Sequence, residues 1–116
     1  MLNFHEYQKK ASETAIYPER NTIVGLMYCG LGLTGESGEV AEKIKKYFRD
    51  GMPTTSINFE EDWYRLMEKE IGDVLWYLSQ ICAELGLELQ TCAEKNLIKL
   101  ANRQAKGTIH GSGDTR

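Results

Sequence analysis

Apolar residues recur at steps of three and four along most of the chain, which is the spacing of one helix face. Four such stretches predict α-helices over about 3–16, 22–50 (beginning at residue 21 or 22), 59–85 and 88–104. Asn3 and Asn58 stand where N-caps are expected, and Gly86 stands where the third helix should end. Because residues 86–87 form a very short connection, the last two helices are expected to pack as antiparallel neighbours. The pattern predicts an all-α bundle of about four helices with a glycine-rich, non-helical tail at 105–116.

Acidic residues interrupt two of these apolar stripes. In the second stretch the stripe consists of Leu26, Cys29, Leu33, Val40, Ile44 and Tyr47, and Glu36 takes one of its positions. In the third stretch Glu70 and Asp73 stand in the stripe that contains Leu66, Tyr77 and Ile81. Glu36 pairs with Glu39 and Glu70 pairs with Asp73 at three-residue spacing, so each pair points two carboxylates in one direction. The two acidic pairs are therefore predicted to face each other on two helices.

Carboxylates that converge on an apolar seam need a positive partner, because burying an uncompensated charge costs on the order of several kcal/mol or forces protonation. These segments offer few basic residues at matching positions. A hard divalent cation such as Mg²⁺ prefers oxygen ligands and suits four carboxylates without histidine or cysteine. The alternative is that they are ordinary solvated acids, since glutamates three apart are common on exposed helix faces.

Composition restricts the classes of protein that the chain can belong to. Its 116 residues, 41% hydrophobic and 27% charged, are typical of a single globular domain spanning 1–116, with a core at 22–104. A net charge of −3 gives no general basis for binding a nucleic-acid polymer. No stretch is long enough for a membrane span or resembles a signal peptide. Cys29, Cys82 and Cys92 lack a C-x-x-C pair and are interpreted as core residues in a reducing compartment, so a cytoplasmic location is expected.

A glycine pattern at residues 30–35 competes with this interpretation. Gly30-Leu31-Gly32-Leu33-Thr34-Gly35 matches the dinucleotide-binding fingerprint, but that fingerprint requires a preceding strand and further parallel strands, for which the chain offers little. Gly30 and Gly32 are instead expected to allow close helix packing. Gly35 and Gly38 flank the acids, where missing side chains would leave room for metal-bound water and a bulky ligand.

Cationic residues share one face of the fourth predicted helix. Asn96, Lys99 and Arg103 step by three and four, and the interleaved Leu97, Leu100 and Ala101 would supply a packing face. This arrangement suggests that a metal and cationic side chains clamp one polyphosphate from two sides, although a solvated charged face is the common alternative. Candidates for a base or substrate pocket are His5 and Tyr77, and more loosely Tyr7, Tyr17 and Trp76.

The ordered set of motifs resembles a known family. Glu36-x-x-Glu39, Glu70-x-x-Asp73 and Asn96-x-x-Lys99-x-x-x-Arg103 on a helical chain are similar to the MazG-like branch of the all-α nucleoside triphosphate pyrophosphohydrolases. The resemblance covers about residues 22–104. The tail from His110 to Arg116 also resembles that of short stand-alone bacterial and phage members.

The resemblance implies both a chemistry and an assembly. Glu36, Glu39, Glu70 and Asp73 would be Mg²⁺ ligands, with Mn²⁺ as a possible substitute, while Asn96, Lys99 and Arg103 would contact phosphates. The enzyme would cleave a nucleoside triphosphate between its α- and β-phosphates. Many members have E-E-x-x-E, whereas Gly35 stands at the first position here, which leaves the number of metal ions open. Members form dimers or dimers of dimers, and the apolar surface of Val24, Leu26, Met27 and Leu31 would suit such a homodimer or homotetramer interface.

Two alternatives from other classes stay open. A non-catalytic helical module could bind metal and nucleotide, or a partner, without turnover. A ferritin-like di-metal carboxylate protein would want Glu-x-x-His on facing helices, and neither His5 nor His110 has that spacing.

Overall fold

The structure is a computed structural model that describes residues 1–51 and 61–115. In these ranges it contains four α-helices and no strand: α1 is Phe4–Ser12, α2 is Ile23–Arg49, α3 is Glu61–Leu85 and α4 is Leu89–Lys106. None of the described helices is both long and apolar enough to cross a membrane. The all-α prediction is confirmed, and the glycine pattern at 30–35 lies inside α2, which rules out the strand that a dinucleotide fold requires. The predicted cap Asn58 and the predicted start of the third helix at residue 59 lie outside the described ranges.

Caps explain the observed helix ends. The Asn3 side chain accepts the Glu6 N–H at 2.8 Å, and Thr22 caps α2 by accepting the Gly25 N–H. Gly107 adopts a left-handed conformation with φ of 69° directly after α4, which lets that helix run two residues beyond its predicted end. The prediction for α1 was too long, because the chain leaves the helix after Ser12 to bring later residues into the core.

Residue pairs along α2 and α3 show that these helices pack antiparallel. Gly32 lies against the Tyr77 ring, Lys43 reaches Glu70, and the rings of Tyr47 and Trp63 have centroids 4.9 Å apart. The acidic positions of the two helices therefore lie at the same level. The predicted stripes are only partly buried, since Ile44 and Leu66 are exposed while Ser79 and Gln80 of α3 are fully buried.

Aromatic residues contribute most of the core, which lies where the connection between α1 and α2 meets α2 and α3. Ala15, Tyr17 and Cys29 are buried there, with Trp76, Tyr77 and Ile81 packed around them. The Tyr17 ring stacks on Tyr28 at 5.3 Å and meets Trp76 edge to face at 6.2 Å. The loose pocket candidates Tyr17 and Trp76 therefore contribute to this core. Of the cysteines, Cys29 and Cys82 are buried as predicted, but Cys92 is exposed, so its assignment to the core was wrong.

Helix α4 was predicted to pack along α3 as an antiparallel neighbour, but it contacts α3 only weakly. The Gln8 side chain of α1 accepts the Leu89 N–H at 2.7 Å and donates to the Leu87 carbonyl at 3.0 Å, so α1 packs against the start of α4. Among the described residues, α4 makes no contact with α2 and little with α3. Its predicted packing residues Leu97, Leu100 and Ala101 are exposed, which contradicts the expected packing face within one chain.

Candidate metal and phosphate site

Three of the four predicted acids meet between α2 and α3. One carboxylate oxygen from each of Glu36, Glu70 and Asp73 lies within 4.8 Å of the other two. Glu36 and Glu70 are half-buried, whereas Asp73 is exposed. The arrangement follows from the antiparallel register, because residues in the apolar seam of one helix must face the seam of the other.

The cluster carries an unfavourable concentration of negative charge. Burial raises the pKa of Glu36 above that of an ordinary glutamate, and the charges of Asp73 and Glu70 raise this pKa further. A cation bound among these oxygens would relieve the repulsion. Carboxylate oxygens are also the ligands that hard divalent ions prefer, so the donor set fits such an ion.

Glycines leave space beside the acids. A methyl group built at Gly35, Gly38 or Gly72 would meet no atom of residues 1–51 or 61–115 within 4 Å, apart from its own helix backbone and chain neighbours. The expectation that Gly35 and Gly38 leave room for a ligand therefore agrees with the open space around them, and their role stays a prediction. Close packing is found at Gly32, where such a methyl would lie 2.2 Å from Tyr77 Cε1, but not at Gly30, for which the packing interpretation was wrong.

A lysine that sequence reasoning passed over lies among the acids. Lys43 Nζ is 2.7 Å from Glu70 Oε1 and 3.7 Å from Glu39 Oε2. The hydrogen bond to Glu70 is the main reason that the pKa of Lys43 is raised. Glu39, the fourth predicted acid, pairs with this lysine and is not one of the three converging carboxylates. The signal was present in the sequence, because Lys43 follows Glu39 by four residues and so shares its helix face.

Two tyrosines lie close to the acids. The pKa of Tyr77 is raised by burial, by Tyr28 and by the Glu36 charge, and the pKa of Tyr7 is raised by burial and by the Asp73 charge. Tyr7 also lines a largely apolar cavity of about 240 Å³. The other lining residues are Leu2, Asn3, Phe4, Leu75 and Gln90. The sequence did not reveal this cavity, because three separate helices form it.

His5 is not brought to the acidic cluster. Its Nδ1 lies 3.0 Å from a Glu88 carboxylate oxygen, and the side chain is 63% exposed. It lines a separate hollow with Gln8, Lys9, Ser12 and Glu88. The geometry of the described residues therefore offers no contact between His5 and the metal-binding candidates.

The cationic residues of α4 hold the tail. Lys99 Nζ and Arg103 Nη2 lie 3.2 and 2.9 Å from the same oxygen of Asp114, and Arg103 Nη2 also donates to the Gly113 carbonyl at 3.3 Å. These cations hold the pKa of the Asp114 carboxyl below its usual range. Asn96 lies beside them and lines a shallow hollow with Cys92, Lys95 and Lys99. Among the described residues of one chain, α4 contacts α3 only weakly and does not contact α2. The expectation that its cations and the acids hold one polyphosphate stays a prediction.

Comparisons with known proteins identify the family of the chain. The family model described as the MazG nucleotide pyrophosphohydrolase domain matches residues 28–108. This range includes the four acids and the candidate phosphate contacts Asn96, Lys99 and Arg103. The chain is 42% identical over 113 residues to the "Gene 37 protein" of Mycobacterium phage L5, covering 95% of this chain and 96% of that protein. No solved structure gives a significant match. On the family match, the chain belongs to the MazG nucleotide pyrophosphohydrolases.

Proposed function

We propose that this protein hydrolyses (deoxy)nucleoside triphosphates to the nucleoside monophosphate and pyrophosphate, and so controls nucleotide pools. The proposal depends chiefly on the convergence of Glu36, Glu70 and Asp73 within 4.8 Å between two helices of a MazG domain. The family depends on divalent metal in general, and the acidic cluster is compatible with such an ion. We infer that Mg²⁺ is the natural ion and that Mn²⁺ can replace it.

Glu36, Glu70 and Asp73 would hold the metal. Their carboxylate oxygens lie within 4.8 Å of one another and are the kind of ligand that Mg²⁺ prefers, so this donor set would suit the ion. When bound, the ion would neutralise triphosphate charge and lower the pKa of an attacking water. Glu39, one turn from Glu36 and 59% exposed, is the acid available to orient that water towards the α-phosphorus.

The apolar cavity beside Tyr7 is the proposed site for the base. Tyr7 connects it to the acids, because Tyr7 lines the cavity and its pKa is raised by burial and by the Asp73 charge. Phe4 supplies a second aromatic ring, and Gln90 supplies amide groups that can hydrogen-bond a base edge. Tyr77, near Glu36, is proposed to line the opposite side of the substrate site.

Lys99 and Arg103, with Asn96, are proposed to contact phosphates. They already bind a carboxylate, Asp114, and the charge-assisted hydrogen bonds that hold a carboxylate also suit phosphate. Because α4, over the part of the chain that the structure describes, contacts α3 only weakly and α2 not at all, we propose that a second copy of the chain supplies these cations. A homodimer or homotetramer would then complete the site.

The test is a panel of canonical and modified (d)NTPs with Mg²⁺, scored separately for pyrophosphate and for free phosphate. We expect monophosphate and pyrophosphate from the wild type, and a loss of about a hundredfold or more in Asp73→Asn, since even residues behind metal ligands change activity 10- to 100-fold. Asp50→Asn removes the same charge from the exposed end of α2 and should leave the rate unchanged. Unchanged turnover in Asp73→Asn would exclude this site. Nucleotide binding without any turnover in the wild type would favour the non-catalytic module.

A further inference from the structure

Lys43 is the basic side chain that the described structure places among the four acids. It reaches Glu70 across the seam at 2.7 Å and approaches Glu39 on its own helix at 3.7 Å. Its side chain is only 24% exposed, and that of Glu70 only 17%. Water screens such a pair less than it screens most surface ion pairs. The Lys43 charge therefore acts strongly on the neighbouring carboxylates.

The acids around Lys43 fall into two groups. Glu36, Glu70 and Asp73 present oxygens to one common point, whereas Glu39 lies outside that group and is paired with Lys43. At residue 35, where a glutamate would add one more carboxylate to the α2 side, the chain has Gly35 and open space. The three converging carboxylates thus suit one ion, and Lys43 already supplies a positive charge to Glu39 and to Glu70.

We propose that Lys43 takes the place of a second divalent ion, so that the chain binds one metal ion with Glu36, Glu70 and Asp73. The Lys43 ammonium holds Glu39 and Glu70 in position and repels a further cation from the space between them. Lys43 is then a positioning residue that supplies positive charge without occupying the metal site. This inference rests on the proposed metal site and fixes its stoichiometry.

Removing the Lys43 charge has a defined consequence. In Lys43→Gln the carboxylates of Glu39 and Glu70 lose their partner, and the negative potential at the site increases. A second divalent ion then binds, or the first binds at least about threefold more tightly, because two charges a few ångströms apart interact strongly even in a partly hydrated site. Lys43→Arg keeps the charge and should restore binding of a single ion.

The experiment titrates Mn²⁺ alone into the metal-free, full-length chain and counts the free ion by electron paramagnetic resonance. We expect one bound Mn²⁺ per chain for the wild type and Lys43→Arg, and a second or tighter site in Lys43→Gln. Lys46→Gln is the matched control: Lys46 also pairs with a glutamate four residues earlier, Glu42 at 3.5 Å, and the net charge changes equally. The control should bind Mn²⁺ as the wild type does.

Two equivalent Mn²⁺ ions per wild-type chain would overturn the proposal, and this count needs no variant to fold. Identical binding by Lys43→Gln, Lys46→Gln and wild type would overturn it as well. Because Mn²⁺ is titrated without nucleotide, the outcome is independent of the turnover assay. A wild type that hydrolyses dNTPs but binds two ions contradicts only the role of Lys43, whereas absent Mn²⁺ binding and absent turnover contradict the metal site itself.

Discussion

At the scale of single residues, two glycines of α2 illustrate how local space determines the effect of a side chain. Gly32 lies against α3, where an added methyl would be 2.2–2.7 Å from three ring atoms of Tyr77. Gly30, two residues earlier, has no such neighbour within 4 Å. Both are glycines inside a helix, so they differ only in what surrounds them.

This difference predicts opposite effects of the same substitution. Gly30→Ala should raise the free energy of unfolding by about 0.5–1 kcal/mol, because alanine is the better helix former. Gly32→Ala gains the same helix-propensity energy but must displace the Tyr77 ring. We therefore expect a net decrease of about 1–2 kcal/mol in the free energy of unfolding. Urea unfolding of both variants measures the effects. Equal stabilisation by the two substitutions would show that the Tyr77 ring does not oppose a side chain at residue 32.

Glu36 predicts a pH dependence. Its pKa is raised in the folded chain, chiefly by burial and then by Asp73 and Glu70. An acid with a raised folded-state pKa destabilises the fold above that pKa, and the penalty disappears as the pH falls below the unfolded-state pKa. In EDTA, Glu36→Gln should therefore melt higher than the wild type at pH 7, with a difference that shrinks on acidification. Added Mg²⁺ should raise the melting temperature of the wild type more than that of the variant. A melting difference that does not change with pH would contradict this account.

At the scale of elements, Glu84 fastens the connection between α1 and α2 to the end of α3. It accepts hydrogen bonds from the Tyr17 hydroxyl and, at 2.8 Å, from the Asn21 N–H. The connection needs this support because Glu19 and Asn21 have positive φ values of 58° and 64°. These contacts place Tyr17 in the core and set where α2 begins relative to α3.

Removing the hydrogen bonds of Glu84 should destabilise the chain without changing the four acids of the candidate site. Glu84→Ala is expected to cost about 1–3 kcal/mol, as charge-assisted hydrogen bonds do. Tyr17→Phe should cost less, and the double variant should lose less than the sum of the two, because both remove the same bond. Chemical denaturation of the four proteins gives the coupling energy. Strict additivity would mean that the Tyr17–Glu84 bond contributes nothing.

Sequence reasoning succeeded where the information was local. Helical periodicity predicted all four helices, and the interruption of two apolar stripes predicted that Glu36, Glu70 and Asp73 would meet. It failed where distant residues decide the outcome. The direction of α4 depends on Gln8 of α1, and the role of Lys43 depends on a partner across the seam. The four-residue spacing of Glu39 and Lys43 was a signal for their pairing on one helix, but the contacts of Lys43 with Glu70 and of Gln8 with the start of α4 leave no periodic signal in the sequence.

At the scale of the whole molecule, the single chain is unusually open. Its radius of gyration is 17.2 Å, whereas a compact chain of this length has about 13 Å. Val24, Met27 and Leu31 on α2 and Leu97 and Ile98 on α4 are at least half exposed. Apolar surface of this extent is typical of a protein that associates, which supports the proposed homo-oligomer.

Association is tested by the molecular mass in solution, measured by light scattering after size exclusion. We expect a dimer or tetramer for the wild type, and dissociation when Met27 and Leu31 are both replaced by glutamate. Ile16→Glu is the control, because this residue is 92% exposed and lies in the connection after α1, outside α2 and α4. A monomeric wild type that still hydrolyses dNTPs would contradict the shared site.

The most direct test of the central claim is the position of the metal. A crystal of the protein containing Mn²⁺ should give an anomalous difference peak between α2 and α3, about 2.2 Å from oxygens of Glu36, Glu70 and Asp73. A peak bound to other residues, or no peak between these helices at saturating Mn²⁺, would contradict the account.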